Sequence, residues 1–256
     1  MTRWDHLRME GYGASTYGDA IADVYDDWYQ GFFDVDQTVA VLTELAAGGR
    51  VLELAIGTGR VAVPLAAGGV EVVGVDASER MVAKLRDKPG GASIPVTIGD
   101  FSDVPVEGTF RLIYVVFTTL FALPTQGDQI RCLQSVAEHL EPGGRFLTDA
   151  FVPDLSRYRN HQTVTTERVE VDHVLLDVSR HDPVAQRIDS SHVLLTPDGV
   201  RLFPVSIRYA WPAELDAMAL VAGLRLADRW AGYDRSPFTA SSGRHVSVYV
   251  KQAAQA

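Results

Sequence analysis

Apolar residues along the chain keep one period for a stretch and then exchange it for another, and the order of these exchanges outlines the fold. Val35 to Ala47 carries them at helical spacing and is closed by Gly48-Gly49, a pair suited to a left-handed helix terminus. Val51 to Ala55 is a short apolar run, Arg60 to Ala67 reads as a helix, and Glu71 to Val75 is a second run rich in β-branched residues, so the three predict a βαβ unit. Ser78 to Asp87 predicts the next helix, with Ser78 as its N-cap, and Ile94 to Ile98 a third strand. Leu112 to Phe117 is apolar throughout, as a strand buried on both faces requires. Asp128 to Leu140 is amphipathic with Gly143-Gly144 beyond it, and Arg145 to Ala150 supplies a fifth strand.

After Pro153 the period becomes two. Thr163 to Val171, His173 to Ser179, Gln186 to Leu195 and Val200 to Ala210 alternate apolar and polar residues, with turn signals at Asp182-Pro183 and Pro197-Asp198-Gly199, which predicts an inserted antiparallel sheet. Pro212 opens a further helix that Gly223 ends, and Leu224 to Trp230 and His245 to Lys251 read as two closing strands. The expected organisation is an N-terminal helical lid over 1–34, an α/β core over 35–152 and 211–256, and the insert over 153–210. Alternating βα units demand a parallel sheet with helices on both faces, and such sheets bind ligands beyond the carboxyl ends of their strands where the strand order reverses.

Composition removes several alternatives. No stretch approaches the ~18 to 20 uninterrupted apolar residues of a membrane span, and the first residues lack the apolar region of a signal peptide, so a cytoplasmic protein is expected. With 33 acidic residues against 23 basic ones in 256, the formal charge is −10, which disfavours nucleic acid and anionic membranes as partners. The single cysteine, Cys132, excludes an internal disulfide framework. The histidines show no close spacing with Asp or Glu, so no metal site is expected.

The candidate chemistry sits at the strand ends. Glu53-Leu54-Ala55-Ile56-Gly57-Thr58-Gly59-Arg60 closes the first strand, where small residues at 55, 57 and 59 allow a tight turn and leave room for a ligand. Asp76, followed by Ala77, ends the second strand, where a carboxylate can accept both hydroxyls of a ribose, and Asp100 ends the third beside Phe101. Any one of these acids reads equally well as a cap or turn residue, whereas three in successive register make a pattern.

With these motifs the sequence resembles the class I S-adenosylmethionine-dependent methyltransferases, over about residues 12 to 251. The resemblance implies a Rossmann-like, mostly parallel seven-stranded sheet and S-adenosyl-L-methionine as cofactor. It would bring Ala55 and Gly57, with Gly59 in the same motif, to the cofactor's amino-acid part. Asp76 and Ala77 would lie at the ribose, Met81 on the adenine, and Asp100 and Phe101 at the adenine amino group and ring. Glu141-Pro142-Gly143-Gly144 and Ser236-Pro237-Phe238 are further family features. Two positions depart: Ala55 replaces the usual glycine, which would weaken cofactor binding modestly, and Arg111 stands where aspartate is common, at a peripheral place. In related small-molecule enzymes a segment like Tyr12 to Phe33 closes over the cofactor, so Tyr17 or Tyr25 is expected to donate to the methionine carboxylate with Arg60 as counter-charge.

A sulfonium is an activated methyl donor, so the protein must chiefly align acceptor, methyl and sulfur and exclude water. Glu53 and Asp100 suit a cationic cofactor, and Phe117 suits a cation–π contact near its methyl. His161, His173, His181 and His192 lie in or beside the insert, and His181, with Tyr25, is the candidate catalytic residue. The expected reaction is methyl transfer to N, O or ring C of a small-molecule acceptor in secondary metabolism, with a homodimer left open. The competing readings are an NAD(P)-dependent oxidoreductase, because Gly57-Thr58-Gly59-Arg60-Val61-Ala62 also fits G-x-G-x-x-A with Asp76 about 20 residues on, and a non-catalytic nucleoside-binding scaffold.

Overall fold

The computed structural model describes residues 9–31 and 34–251. Two short helices, α1 (Thr16–Ile21) and α2 (Tyr25–Trp28), precede α3 (Val35–Ala46), whose N-cap Asp34 accepts from the Gln37 N–H. The core then runs β1 (Val51–Leu54), α4 (Ala62–Ala67), β2 (Val72–Asp76), α5 (Glu79–Arg86), β3 (Val96–Ile98), β4 (Phe110–Val115), α6 (Gln126–His139) and β5 (Leu140–Phe151). Four strands follow, β6 (Gln162–Val169), β7 (Val174–Asp182), β8 (Arg187–Thr196) and β9 (Gly199–Arg208), and α7 (Pro212–Val221), β10 (Leu224–Trp230) and β11 (Arg244–Lys251) close the chain.

The core strands form one seven-stranded sheet in the order β10-β11-β5-β4-β1-β2-β3. Its strands pair in parallel except where β11 runs antiparallel to both β5 and β10. Alternation divides its side chains between two layers. Leu52, Leu54, Ile113 and Val115 pack with Leu133 and Val136 of α6 and Leu215 of α7, while Val51, Leu112, Tyr114 and Val248 pack with Leu42 and Leu45 of α3 and Leu65 of α4. The strand order reverses between β1 and β4, and there the site is found.

The insert is a separate four-stranded antiparallel sheet ordered β6-β7-β8-β9, as its period of two predicts. Boundaries shift where local geometry overrides periodicity. The first crossover helix begins at Ala62 rather than Arg60, because Gly57 and Gly59 adopt φ of 56° and 71° and the turn closes with Gly59 N–H donating to the Ile56 carbonyl. The fifth strand begins at Leu140, which pairs with Phe110 before a register shift between Phe110 and Leu112, so the Gly143-Gly144 segment lies within an extended strand.

Candidate functional site

The floor of the site is made by the ends of β1, β2 and β4. Register sets Glu53 between Gly74 and Tyr114, and the Tyr114 hydroxyl donates to Glu53 Oε2 at 2.8 Å. Gly74 must lack a side chain, since a Cβ there would stand 2.4 Å from Ile56 Cδ1. Glu53 is 3% exposed, and burial pushes its carboxyl up to about 8 against the pull of the Tyr114 hydrogen bond, with the charge of Asp76 acting in the same direction as burial. Asp76 accepts from Gly57 N–H at 2.7 Å and from Ser78 N–H at 2.8 Å, so it fixes the glycine turn to the start of α5. Burial raises its pKa too, although these two N–H groups favour its ionised form. Met81 lies against this turn, its Cε 3.3 Å from where a Cβ on Gly57 would be. Ala55 holds φ at 56°, a left-handed conformation that an L-residue resists. Phe101 is buried within the core, and exposed Asp100 caps Ser102 N–H at 2.8 Å.

Above the floor, α1 and α2 are tied down by side chains. Ser78 donates to Asp19 Oδ1 at 2.6 Å and Thr58 to Asp26 Oδ1 at 2.6 Å, while Asp23 pairs with Arg80 and Lys84. A Cβ on Gly18 would meet Ser78 Cβ at 2.6 Å, so α1 approaches α5 as closely as glycine allows. Arg60 donates to the Tyr29 carbonyl at 2.9 Å and to Tyr25 Oη at 3.2 Å, and its guanidinium carbon stands 3.8 Å from the centroid of the Phe117 ring. Arg60 Nε is buried with no hydrogen-bond partner among the described residues. Tyr17 and Tyr29 share a hydrogen bond of 3.0 Å, and burial pushes Tyr17 well up and Tyr25 up to about 12, so both phenols stay protonated donors.

Phe117 and its neighbour Thr118 hold φ of 62° and 63° in succession. Buried Asp149 at the end of β5 sustains this turn by accepting from Thr118 N–H at 2.8 Å, and it also accepts from Tyr233 at 2.9 Å. Sequence reasoning passed over Asp149 and Tyr233, because one lies inside an apolar strand and the other about 84 positions away, and only the fold joins them.

The inserted sheet covers the far side. His181 is buried on β7 with Nε2 2.9 Å from Tyr209 Oη and its ring 4.8 Å from that of Tyr158, and burial lowers its pKa with help from nearby His161. It is His192 on β8, rather than His181, that meets the N-terminal helices: Trp28 of α2 lies edge-on to His192 at 6.3 Å and to Phe203 at 4.7 Å.

Residues 51–144 match the family model described as a methyltransferase domain. The chain is 45% identical to the CcbJ methyltransferase of Streptomyces caelestis, with a TM-score of 0.87 over 94% of this chain and 100% of that one. It is 29% identical over 206 residues to the cypemycin N-terminal methyltransferase of a Streptomyces species, covering 80% of this chain and 84% of the relative. It is 30% identical over 140 residues to dTDP-4-amino-2,3,4,6-tetradeoxy-D-glucose N,N-dimethyltransferase of Saccharopolyspora spinosa, covering 51% and 54%. The chain belongs to the class I S-adenosylmethionine-dependent methyltransferases.

The residues present in this methyltransferase fit the cofactor. Orphaned Arg60 Nε and the buried carboxylates Glu53 and Asp76 are respectively a donor for a carboxylate and acceptors for a cation and a diol, and the side-chain-free turn at Gly57 leaves room between them. The nicotinamide reading is not favoured: the relatives are methyltransferases, and the Gly57 and Ser78 N–H groups that a pyrophosphate would need at this turn are already taken by Asp76. Arg111 donates to the Gly143 carbonyl at 3.2 Å near the start of β4, at the other end of that strand from the floor. Among the described residues no helix is long and apolar enough to cross a membrane.

Proposed function

We propose that this methyltransferase modifies the nitrogen of a small amine of secondary metabolism, held between the N-terminal helices and the inserted sheet. The observation that carries the reading is that the N-terminal helices bridge the floor and the insert: Trp28 packs on Phe203 and His192 of the insert while its neighbours Tyr25 and Tyr29 engage Arg60 of the floor. A cleft closed on that side suits a small molecule better than a polymer, and the charge of −10 opposes nucleic acid. Nitrogen is favoured over oxygen or carbon because two relatives are named for N-terminal and N,N-dimethyl transfer. In this reading residues 1–34 act as the lid, of which 1–8, 32 and 33 lie outside the described residues, and residues 153–210 as the acceptor side, in a cytoplasmic enzyme.

Bound S-adenosylmethionine supplies an electrophilic methyl group on a sulfonium. The chain's own residues do the rest. Asp76 accepts the ribose hydroxyls, with Ala77 alongside and Met81, Asp100 and Phe101 at the adenine end. Gly57 and Gly59 give the backbone its close approach beside Ala55, and Glu53 offsets positive charge. Arg60, Tyr17 and Tyr25 hold the methionine carboxylate, and burial keeps the two phenols protonated donors at neutral pH. Phe117, fixed by the Asp149 turn, has one face covered by the Arg60 guanidinium and presents the other to the positive centre. His181, paired with Tyr209, stays neutral and orients the acceptor side.

Transfer of a radiolabelled methyl group to a panel of primary and secondary amines, phenols and indoles tests the reading. Labelled amines are expected. Labelling of phenols or indoles alone, or no turnover by protein that binds S-adenosylhomocysteine, overturns it.

A further inference from the structure

One rung of the inserted sheet carries polar chemistry that the floor of the site leaves unused. Thr165 pairs with Asp177, Asp177 with His192, and His192 with Phe203, so these four side chains stand in a row on one face across β6, β7, β8 and β9. Ser179 and Ser190 form the next rung. Asp177 is 8% exposed. It accepts from the Ser179 hydroxyl, which lies 2.8 Å from Ser190 Oγ, and its other oxygen stands 3.6 Å from His192 Nδ1. This is the face on which Trp28 rests. The charge of Asp177 also helps to raise the pKa of Tyr29 on the N-terminal segment and of Tyr158 before the insert, so its field reaches both walls of the cleft. A carboxylate so enclosed costs desolvation that one serine and an imidazole beyond hydrogen-bond distance offset only in part, and a cationic ligand would complete the compensation.

We propose that Asp177 holds the ammonium form of the acceptor against Trp28 and that His192 takes the proton which must leave before the nitrogen can be methylated. The proposal rests on the amine reading above and adds the residues that recognise the amine. An aliphatic amine, with a pKa near the ~10.4 of a lysine, is protonated at neutral pH and its lone pair is unavailable. The N–H bond breaks, its electron pair stays on nitrogen, and the proton passes to the imidazole and then to solvent, which the partly exposed His192 side chain reaches. The methylated product leaves as an ammonium ion with the protons it kept. Among the described residues, the charged or titratable groups near this pair are Tyr29 from the N-terminal segment, Tyr158 before the insert, Glu167 on β6, and Arg201 on β9, stacked 5.0 Å from the Phe203 ring.

Steady-state kinetics with the panel amine that turns over fastest, together with calorimetry of S-adenosylhomocysteine, tests this. Asp177→Asn keeps an acceptor for Ser179, and it is expected to raise KM for the amine about 30-fold while changing S-adenosylhomocysteine affinity less than twofold. His192→Gln is expected to leave KM within about threefold, to lower kcat, and to move the acid limb of its pH profile towards the pKa of the free amine. Should Asp177→Asn fail to fold, the His192→Gln profile decides. An unchanged KM in Asp177→Asn, a parallel loss of S-adenosylhomocysteine affinity, or an unmoved acid limb in His192→Gln overturns the proposal and leaves the amine reading standing. Labelling of phenols alone defeats both.

Discussion

The floor of the cleft and its roof are built from different materials. On the floor, Glu53, Asp76 and Asp149 are all nearly inaccessible, sit at strand ends, and bond to backbone N–H groups or to buried tyrosines. The roof is held to the floor by side chains from separate elements: Asp23 with Arg80 and Lys84, Asp26 with Thr58 and Lys88, and Asp19 with Ser78. Buried and bonded groups lose much when one partner goes, whereas exposed ion pairs lose little. The difference suits an enzyme that must keep one surface rigid for its cofactor and open the other to admit an acceptor.

The sharpest way to break this contrast is to remove the floor's central acid. Asp76→Ala deprives Gly57 N–H and Ser78 N–H of their partner as well as removing the proposed ribose acceptor. An S-adenosylhomocysteine dissociation constant raised about 100-fold, or ~2.7 kcal/mol, is expected by calorimetry. A change below threefold would mean that the turn keeps its shape and the ligand ignores the acid.

Asp149→Ala comes next. It leaves the Thr118 N–H and the Tyr233 hydroxyl without their acceptor inside the protein, at a turn already held at positive φ. A stability loss of about 2 kcal/mol in denaturant melts is expected, with Tyr233→Phe losing about half as much. Equal effects of the two variants would show that the backbone bond contributes nothing.

Glu53 allows a test by pH. Because burial lifts its pKa from 4.5 to about 8, the stability tied to its protonated form is fully present below 4.5 and lost as pH rises through about 8. A cation bound beside it prefers the ionised form. S-adenosylhomocysteine, through its ammonium group, is therefore expected to bind about tenfold more tightly at pH 8.5 than at pH 6.5, releasing a proton that calorimetry in buffers of differing ionisation enthalpy detects. Glu53→Gln should flatten the profile.

The floor was also the legible half. Val51-Leu52-Glu53-Leu54 and Val72-Val73-Gly74-Val75-Asp76 announce their strands by apolar runs, and a strand that ends in an acid fixes that acid at the sheet edge, so sequence spacing alone located Glu53 and Asp76. Asp177 and His192 were not legible as a pair. They are 15 residues apart, and which residues of two alternating strands meet depends on a register set by the turn at Asp182. Asp149 was hidden likewise, its function visible only once β5 lies beside β4 and the Thr118 turn.

Ala55 sharpens the comparison at lower cost. Its φ of 56° opposes an L-residue by roughly 1 to 2 kcal/mol, of which glycine's greater unfolded-state entropy takes back about 0.5 to 1. Ala55→Gly is expected to stabilise the protein by ~0.5 kcal/mol and to tighten S-adenosylhomocysteine binding less than threefold. Destabilisation would show that the methyl group packs usefully on the partly buried side it faces.

The smallest effect belongs to the roof. Asp23 is exposed, and its pairing with Lys84 first and Arg80 second holds its carboxyl below the usual range, so whatever it contributes is present at neutral pH and fades as pH falls through that lowered value. Asp23→Asn should leave the melting temperature unchanged within error. The S-adenosylhomocysteine dissociation rate, read by stopped flow, should rise less than about threefold at low ionic strength and by less still at ~1 M salt, where the screening length falls to ~3 Å, comparable with the separation of the pairs themselves. A large effect that persists in salt would place the hinge of the cleft at α1 and make the roof as rigidly built as the floor.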